Sequence, residues 1–109
     1  MKIFIALENN AGLDSNLDNR FGRASYFMVY DQDGDTVISI EENKYKNEGH
    51  GVGTRVATWL VESGCQAVIG AQPGPKAAAL LNQAGVKIIV DDKGTVKEAL
   101  ERNESALTV

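Results

Sequence analysis

The chain has 109 residues, 43% hydrophobic and 24% charged, with eleven Lys and Arg against fifteen Asp and Glu for a formal net charge of -4. That length and balance fit one globular unit, residues 1–109 as a single domain, and the negative field argues against a general binder of nucleic acid or of anionic membranes. A single cysteine excludes an internal disulfide framework and any metal site built from several thiolates of one chain; with no signal-like or bilayer-spanning apolar run, the expected location is the cytoplasm.

Lys2 to Leu7, KIFIAL, is apolar at nearly every position, as a strand covered on both faces should be. Glu8 to Arg20 is polar and rich in Asn and Asp, a loop of unusual length for so small a domain. Ser25–Asp31 and Thr36–Glu42 read as two strands joined by Asp31-Gln32-Asp33-Gly34-Asp35, turn chemistry that predicts an antiparallel hairpin with Gly34 at a positive-φ position. Asn43 to Gly51 is a second polar loop. From Val52 or Thr54 to Ser63, Val52, Val56, Trp59 and Leu60 recur on a helical period, and Gly64 closes the helix.

Gln66 to Gly85, QAVIGAQPGPKAAALLNQAG, is a strand, a tight loop and a helix in succession. Pro75 suits the first helical turn, where its missing N–H costs nothing, and Gly85 the position just past the end. Val86–Val90 is another buried strand. Asp91-Asp92-Lys93-Gly94 then turns the chain, and Thr95 with Glu98 forms a capping-box pattern opening a last helix to about Arg102. Glu104–Val109 is expected to fray. Alternating strand and helix units occupy only the second half, so a mixed sheet with helices on both faces is expected.

Three glycine or basic clusters carry the chemistry: Arg20-Phe21-Gly22-Arg23, His50-Gly51-Val52-Gly53, and Gly70 to Lys76. Two lie at helix starts, where unpaired N–H groups and the helix dipole favour anions, and the last follows a buried strand at the sheet edge where ligands gather in open α/β folds. Brought together, Arg20, Arg23, His50 and Lys76 would make a positive pocket in an acidic protein. The arginines have a plainer reading as surface partners of Asp14, Asp18 or Asp31. His50, the only histidine, could coordinate a metal through one ring nitrogen, or stay solvated in its loop. Cys65 reads first as a small inert core residue and second as a metal ligand. Trp59 reads as core, Phe21 as packing and Gly22 as relief for a tight backbone.

Enzyme signatures are missing from this pattern. No Gly-x-Ser-x-Gly elbow occurs, GAQPGPK lacks the Gly-Lys-Ser/Thr ending of a phosphate-binding loop, and the first strand carries no inward carboxylate for two-metal phosphodiester chemistry. A non-catalytic protein is expected.

KIFIAL, LDNRFGRASYFMVYD, HGVGTRVATWLVESGCQAVIGAQPGPKAAALLNQAGVKIIV and the closing TVKEAL helix together resemble the dinitrogenase iron-molybdenum cofactor biosynthesis family over almost the whole chain. The resemblance implies an α/β fold, a three-layer α/β/α arrangement with a mixed, mostly parallel sheet and ribonuclease H-like topology, without that enzyme's acidic site. It also implies a carrier for an iron-sulfur or molybdenum-containing cluster, or its precursor, held non-covalently during cofactor assembly. Carried onto this sequence, His50 would contact metal or sulfide, with Gly51, Arg23, Gly70, Gly74 and Lys76 beside it. The glycine-rich loop appears as Gly70-Ala71-Gln72-Pro73-Gly74, in which Ala71 and Gln72 depart from a small polar pattern. Cofactor-assembly proteins are the expected partners, and a monomer or weak homo-oligomer the expected state. The alternative is a regulatory or interaction domain binding a small anion, a nucleotide or a protein without metal.

Overall fold

The computed structural model describes residues 1–107. Its strands are β1 (Lys2–Leu7), β2 (Tyr26–Asp31), β3 (Thr36–Glu42), β4 (Ala67–Gly70) and β5 (Lys87–Val90); its helices are α1 (Val52–Glu62), α2 (Pro75–Gln83), α3 (Val96–Arg102) and α4 (Glu104–Leu107). The strands form one mixed sheet in the order β3-β2-β1-β4-β5. β1 pairs with β4, and β4 with β5, in parallel, whereas β2 is antiparallel to both β1 and β3. Parallel pairing is therefore confined to one half of the sheet and does not dominate it as the sequence reading expected. No helix crosses over between β1, β2 and β3, and parallel neighbours need such a crossover.

The side-chain alternation of each strand divides the core in two. Phe4 and Ala6 of β1, Phe27 and Val29 of β2 and Val68 of β4 face one layer, where they meet Val56, Leu60, Ala77 and Leu81 of α1 and α2. Ile3, Ile5, Leu7, Met28 and Ile69 face the other, against Val96 and Ala99 of α3 and Leu107 of α4. Phe27 is fully buried, and burying such a side chain stabilises by about 2–3 kcal/mol. Its ring is edge-on to Phe21 at 6.3 Å and to Trp59 at 5.7 Å, with Trp59 also edge-on to Phe4 at 5.8 Å, so the half-buried Trp59 packs against the core.

The punctuation read from the sequence is present. Pro75 occupies the first turn of α2, Gly64 and Gly85 take positive φ just past α1 and α2, and Thr95 and Glu98 form a reciprocal capping box on α3. Two expectations need correction. The positive φ of the β2–β3 turn falls on Asp35, at 49°, and not on Gly34, since Asp tolerates the left-handed region better than most residues. Residues 104–107 do not fray: they form α4, whose Leu107 is buried, while Thr108 and Val109 lie outside the described residues.

Candidate functional site

The carboxyl ends of β1, β3, β4 and β5 share one edge of the sheet, and the amino end of β2 lies there too. All three clusters singled out in the sequence are carried by the connections at that edge. Where they meet there is an open depression of about 320 Å³ lined by Arg20, Gly22, Arg23, Gly53, Gln72 and Gly74, with Phe21 and Val52 beneath.

Glycine makes the convergence possible. A Cβ on Gly22 would stand 2.9 Å from Gly53 Cα and 3.0 Å from Gly53 N, so the Arg20–Arg23 segment lies backbone against backbone on the first turn of α1. Gly70, at the end of β4, is buried beside Ala6, where a Cβ would come within 3.1 Å of the Ala6 methyl. α1 begins on Gly51, at φ 69°, and α2 on Gly74, and neither start has a side-chain cap, in contrast to α3. Their first-turn N–H groups are left for solvent or a ligand, and each helix start carries roughly half a positive charge.

The two arginines play different parts. Arg20 is the surface partner that the plainer reading foresaw. Its Nε and Nη2 donate to Asp18 Oδ1 and Oδ2 at 3.0 and 3.1 Å, and the Asp18 carboxylate is buried while the guanidinium remains half-exposed. Asp18 also accepts from the backbone N–H groups of Arg20 and Ser25, so it fixes the turn that enters the site. Arg23 pairs with none of the foreseen carboxylates. It donates from Nη1 to Lys46 O at 2.9 Å and from Nη2 to Gly49 O at 3.4 Å, which ties the second polar loop down while leaving the positive charge uncompensated. Asn43 completes the tie: its buried amide donates to Gly22 O at 2.8 Å and Ala24 O at 2.9 Å. Sequence reasoning foresaw Asp18 as an arginine's partner but assigned neither Asn43 nor Gln72 to the site; the polar loop composition hinted at the first and the departure from the small polar pattern at the second.

Of the predicted site residues, Arg23 and Gly74 line the depression. His50 and Gly51 are exposed immediately before α1, Gly70 lies buried at the strand end from which the loop departs, and Lys76 is exposed in the first turn of α2 outside the lining. Cys65 is not among them. It lies before the amino end of β4, at the opposite edge of the sheet, buried in the α1–α2 layer, and its thiol donates to Ala67 O at 3.2 Å. Burial pushes the Cys65 thiol up to about 12, against weaker opposing effects from the Phe4 and Ala67 backbone and from Lys2. A neutral, enclosed thiol at the sheet edge opposite His50 favours the inert core residue of its first reading over the ligand reading. Among the described residues no three His, Cys, Asp or Glu side chains converge to hold a metal ion, so the donors on offer at this edge are N–H groups, guanidinium and amide. Such a set recognises an anion from outside by hydrogen bonds and charge.

The family model described as dinitrogenase iron-molybdenum cofactor matches residues 1–105. A protein of Methanocaldococcus jannaschii is 30% identical over 103 residues, covering 93% of this chain and 83% of the relative. Among solved structures, the apo form of the orange protein from Desulfovibrio gigas superimposes with a TM-score of 0.87 at 33% identity, covering 96% of this chain and 88% of that one. A NifB-like protein from Thermotoga does so with a TM-score of 0.79, also at 33% identity, covering 95% and 87%.

Proposed function

This chain belongs to the dinitrogenase iron-molybdenum cofactor family, and from that premise we propose that it is a non-catalytic carrier of an anionic iron-sulfur or molybdenum-containing cluster, or of a precursor, during cofactor assembly. The observation that carries the reading is the depression itself. Arg23, free of any carboxylate partner among the described residues, meets two glycine-started, uncapped helices at the ligand edge of the sheet, in a chain whose net charge is -4. A locally positive hollow in an acidic protein selects a compact anion against the background field. Sulfide or oxo edges of a cluster would accept from the N–H groups near Gly53 and Gly74, from Arg23 and from the Gln72 amide. His50, one residue before the Gly51 cap, is the imidazole that this edge would offer to a metal.

One histidine cannot complete the coordination of a cluster, so its own sulfides must do that and the protein must hold it from outside. The consequence is loose, reversible binding, which suits a cargo that has to be passed on. Cofactor-assembly proteins as donor and acceptor, a cytoplasmic setting and a monomer or weak homo-oligomer belong to the same proposal; no helix among the described residues is long and apolar enough to cross a membrane. A ribonuclease H-like topology belongs to it too, supported by a strand order in which β2 alone runs against the others.

The test is anaerobic purification from cells supplied with iron and molybdate, followed by metal and sulfide analysis and a visible spectrum. Bound metal with sulfide and charge-transfer absorption, reduced in Arg23→Gln and in Lys76→Glu, is the expected result. A wild-type protein that stays colourless after reconstitution would overturn the reading. Because every donor in the depression suits a plain anion equally well, the second reading is a small-anion or nucleotide module; stabilisation by phosphate compounds and not by thiomolybdate in a thermal-shift screen would favour it.

A further inference from the structure

On the other side of the sheet, away from α1 and α2, runs a groove of about 640 Å³, twice the volume of the depression. Its floor is apolar. Leu100 of α3 is half-buried there, the Tyr30 ring and Leu107 are buried, and Leu13 on the 3₁₀ turn Gly12–Asp14 stands 42% exposed at the lip. Its rim is acidic: four carboxylates, from Asp14, Asp35, Glu101 and Glu104, face one amine, from Lys97. That local excess of three negative charges compares with an excess of four for the whole chain. Asp35 accepts from the Tyr30 hydroxyl, but Asp14 and Glu101 meet no cation within salt-bridge distance among the described residues.

We propose that this groove docks a basic amphipathic helix of a partner protein. An apolar floor under an acidic rim is complementary to a helix with leucine-like anchors on one stripe and Lys or Arg on either flank. A second copy of this chain would bring like charge to the rim, and an anionic surface would be repelled. The groove offers no strand edge for an extended peptide, since β2, which contributes Tyr30, is paired on both sides. Exposed leucine beside unpaired carboxylate is what such an interface leaves on view when its partner is away. This inference does not depend on the cargo: the groove and the depression lie apart.

A synthetic peptide of Leu and Lys alone at helical spacing, about 14 residues or four turns long, is the probe, titrated into isotope-labelled protein and followed by amide chemical shifts. Shifts should concentrate at residues 12–14, 30–35 and 97–107. The exposed double variant Asp14→Lys with Glu101→Lys should raise Kd by about tenfold, Lys97→Glu should lower it, and a Leu/Glu peptide of the same pattern should not bind. Equal affinity in the double variant, shifts centred on another acidic surface such as Glu41 and Glu42, or equal binding of the Leu/Glu peptide would each overturn the proposal.

Discussion

Replacing Gly22 by Ala tests whether the site depends on backbone contact between its two loops. The added methyl would lie 2.9 Å from Gly53 Cα, 3.0 Å from Gly53 N and 3.3 Å from Val52 C, whereas carbon atoms rest comfortably at about 3.5–4.0 Å. All three neighbours are main chain, so no rotamer change relieves the overlap; the Arg20–Arg23 segment or the start of α1 must move by roughly half an ångström or more. Overpacking of this kind costs about 1–3 kcal/mol, which for a chain of this size is a fall in Tm of about 4–12 °C. Gly53→Ala is the informative control. A Cβ there meets only the Ala77 methyl at 3.7 Å, an ordinary contact, and replacing a helical glycine by alanine stabilises by up to about 0.5–1 kcal/mol. Thermal and urea unfolding of both variants, with anion affinity measured alongside, should separate them: Gly22→Ala less stable and weaker in binding, Gly53→Ala unchanged or more stable. A Gly22→Ala protein as stable as the parent, or equal losses in the two variants, would refute the close-approach account.

Asp18→Asn should move stability and binding in opposite directions: the buried acceptor of Arg20 and Ser25 is weakened at a cost of about 1–3 kcal/mol, while the Arg20 charge, no longer neutralised, raises affinity for molybdate or thiomolybdate by calorimetry. Cys65 should resist thiol reagents in the native state and react at the rate of unfolding; since its folded pKa of about 12 lies above the ordinary thiol value, stability is full below about pH 9 and falls between about pH 9 and 12, a fall that Cys65→Ala should reduce. Burial opposes ionisation of Asp91, but hydrogen bonds from Arg102, Asn103 and the Lys93 N–H outweigh it and hold the carboxyl below its usual range. Its contribution is therefore present above about pH 4 and lost as pH falls further, so an acid titration of stability should be flatter in Asp91→Asn, measured by urea unfolding at stepped pH.

Sequence alone went furthest where one residue's backbone chemistry decides the outcome. Pro75 and Gly85 frame α2, Gly64 ends α1, and Thr95 with Glu98 opens α3, because each answers a local demand for a donor, an acceptor or a positive φ. β1 and β4 were equally legible, since a strand buried on both faces is apolar at every position. α4 was not, because the four residues Glu104-Ser105-Ala106-Leu107 are too few to show a helical period, good helix formers though most of them are, and Leu107 is held by the layer containing Ile3 and Met28. Nor did composition reveal that the long polar segment after β1 buries Ser15, Leu17 and Asp18; Leu17 forms a bridge back to Leu7 and Asn16 one to Thr95, the second a long-range pairing.

The candidate site shows the same division in sharper form. That glycines and arginines would gather at the ligand edge followed from the order of elements, but the partners of the arginines did not. A sequence full of aspartates offers carboxylates to any arginine, and Arg20 took one, whereas Arg23 took the carbonyl oxygens of Lys46 and Gly49, which no side-chain pattern advertises. The difference matters for chemistry. An arginine satisfied by a carboxylate is electrically spent, while one satisfied by carbonyls keeps its charge and gains only a position. Arg23 is thus both the strap of the second loop and the uncompensated charge of the depression, and an anion that draws the guanidinium away from Lys46 and Gly49 must loosen the segment carrying His50. His50 and Cys65 together cannot offset that weakness, because the length of α1 separates exposed His50, before its start, from enclosed Cys65, just past its end. Whatever anion this edge accepts is held by hydrogen bonds and charge, which water and salt can compete away, and that makes the site better suited to temporary custody than to permanent residence.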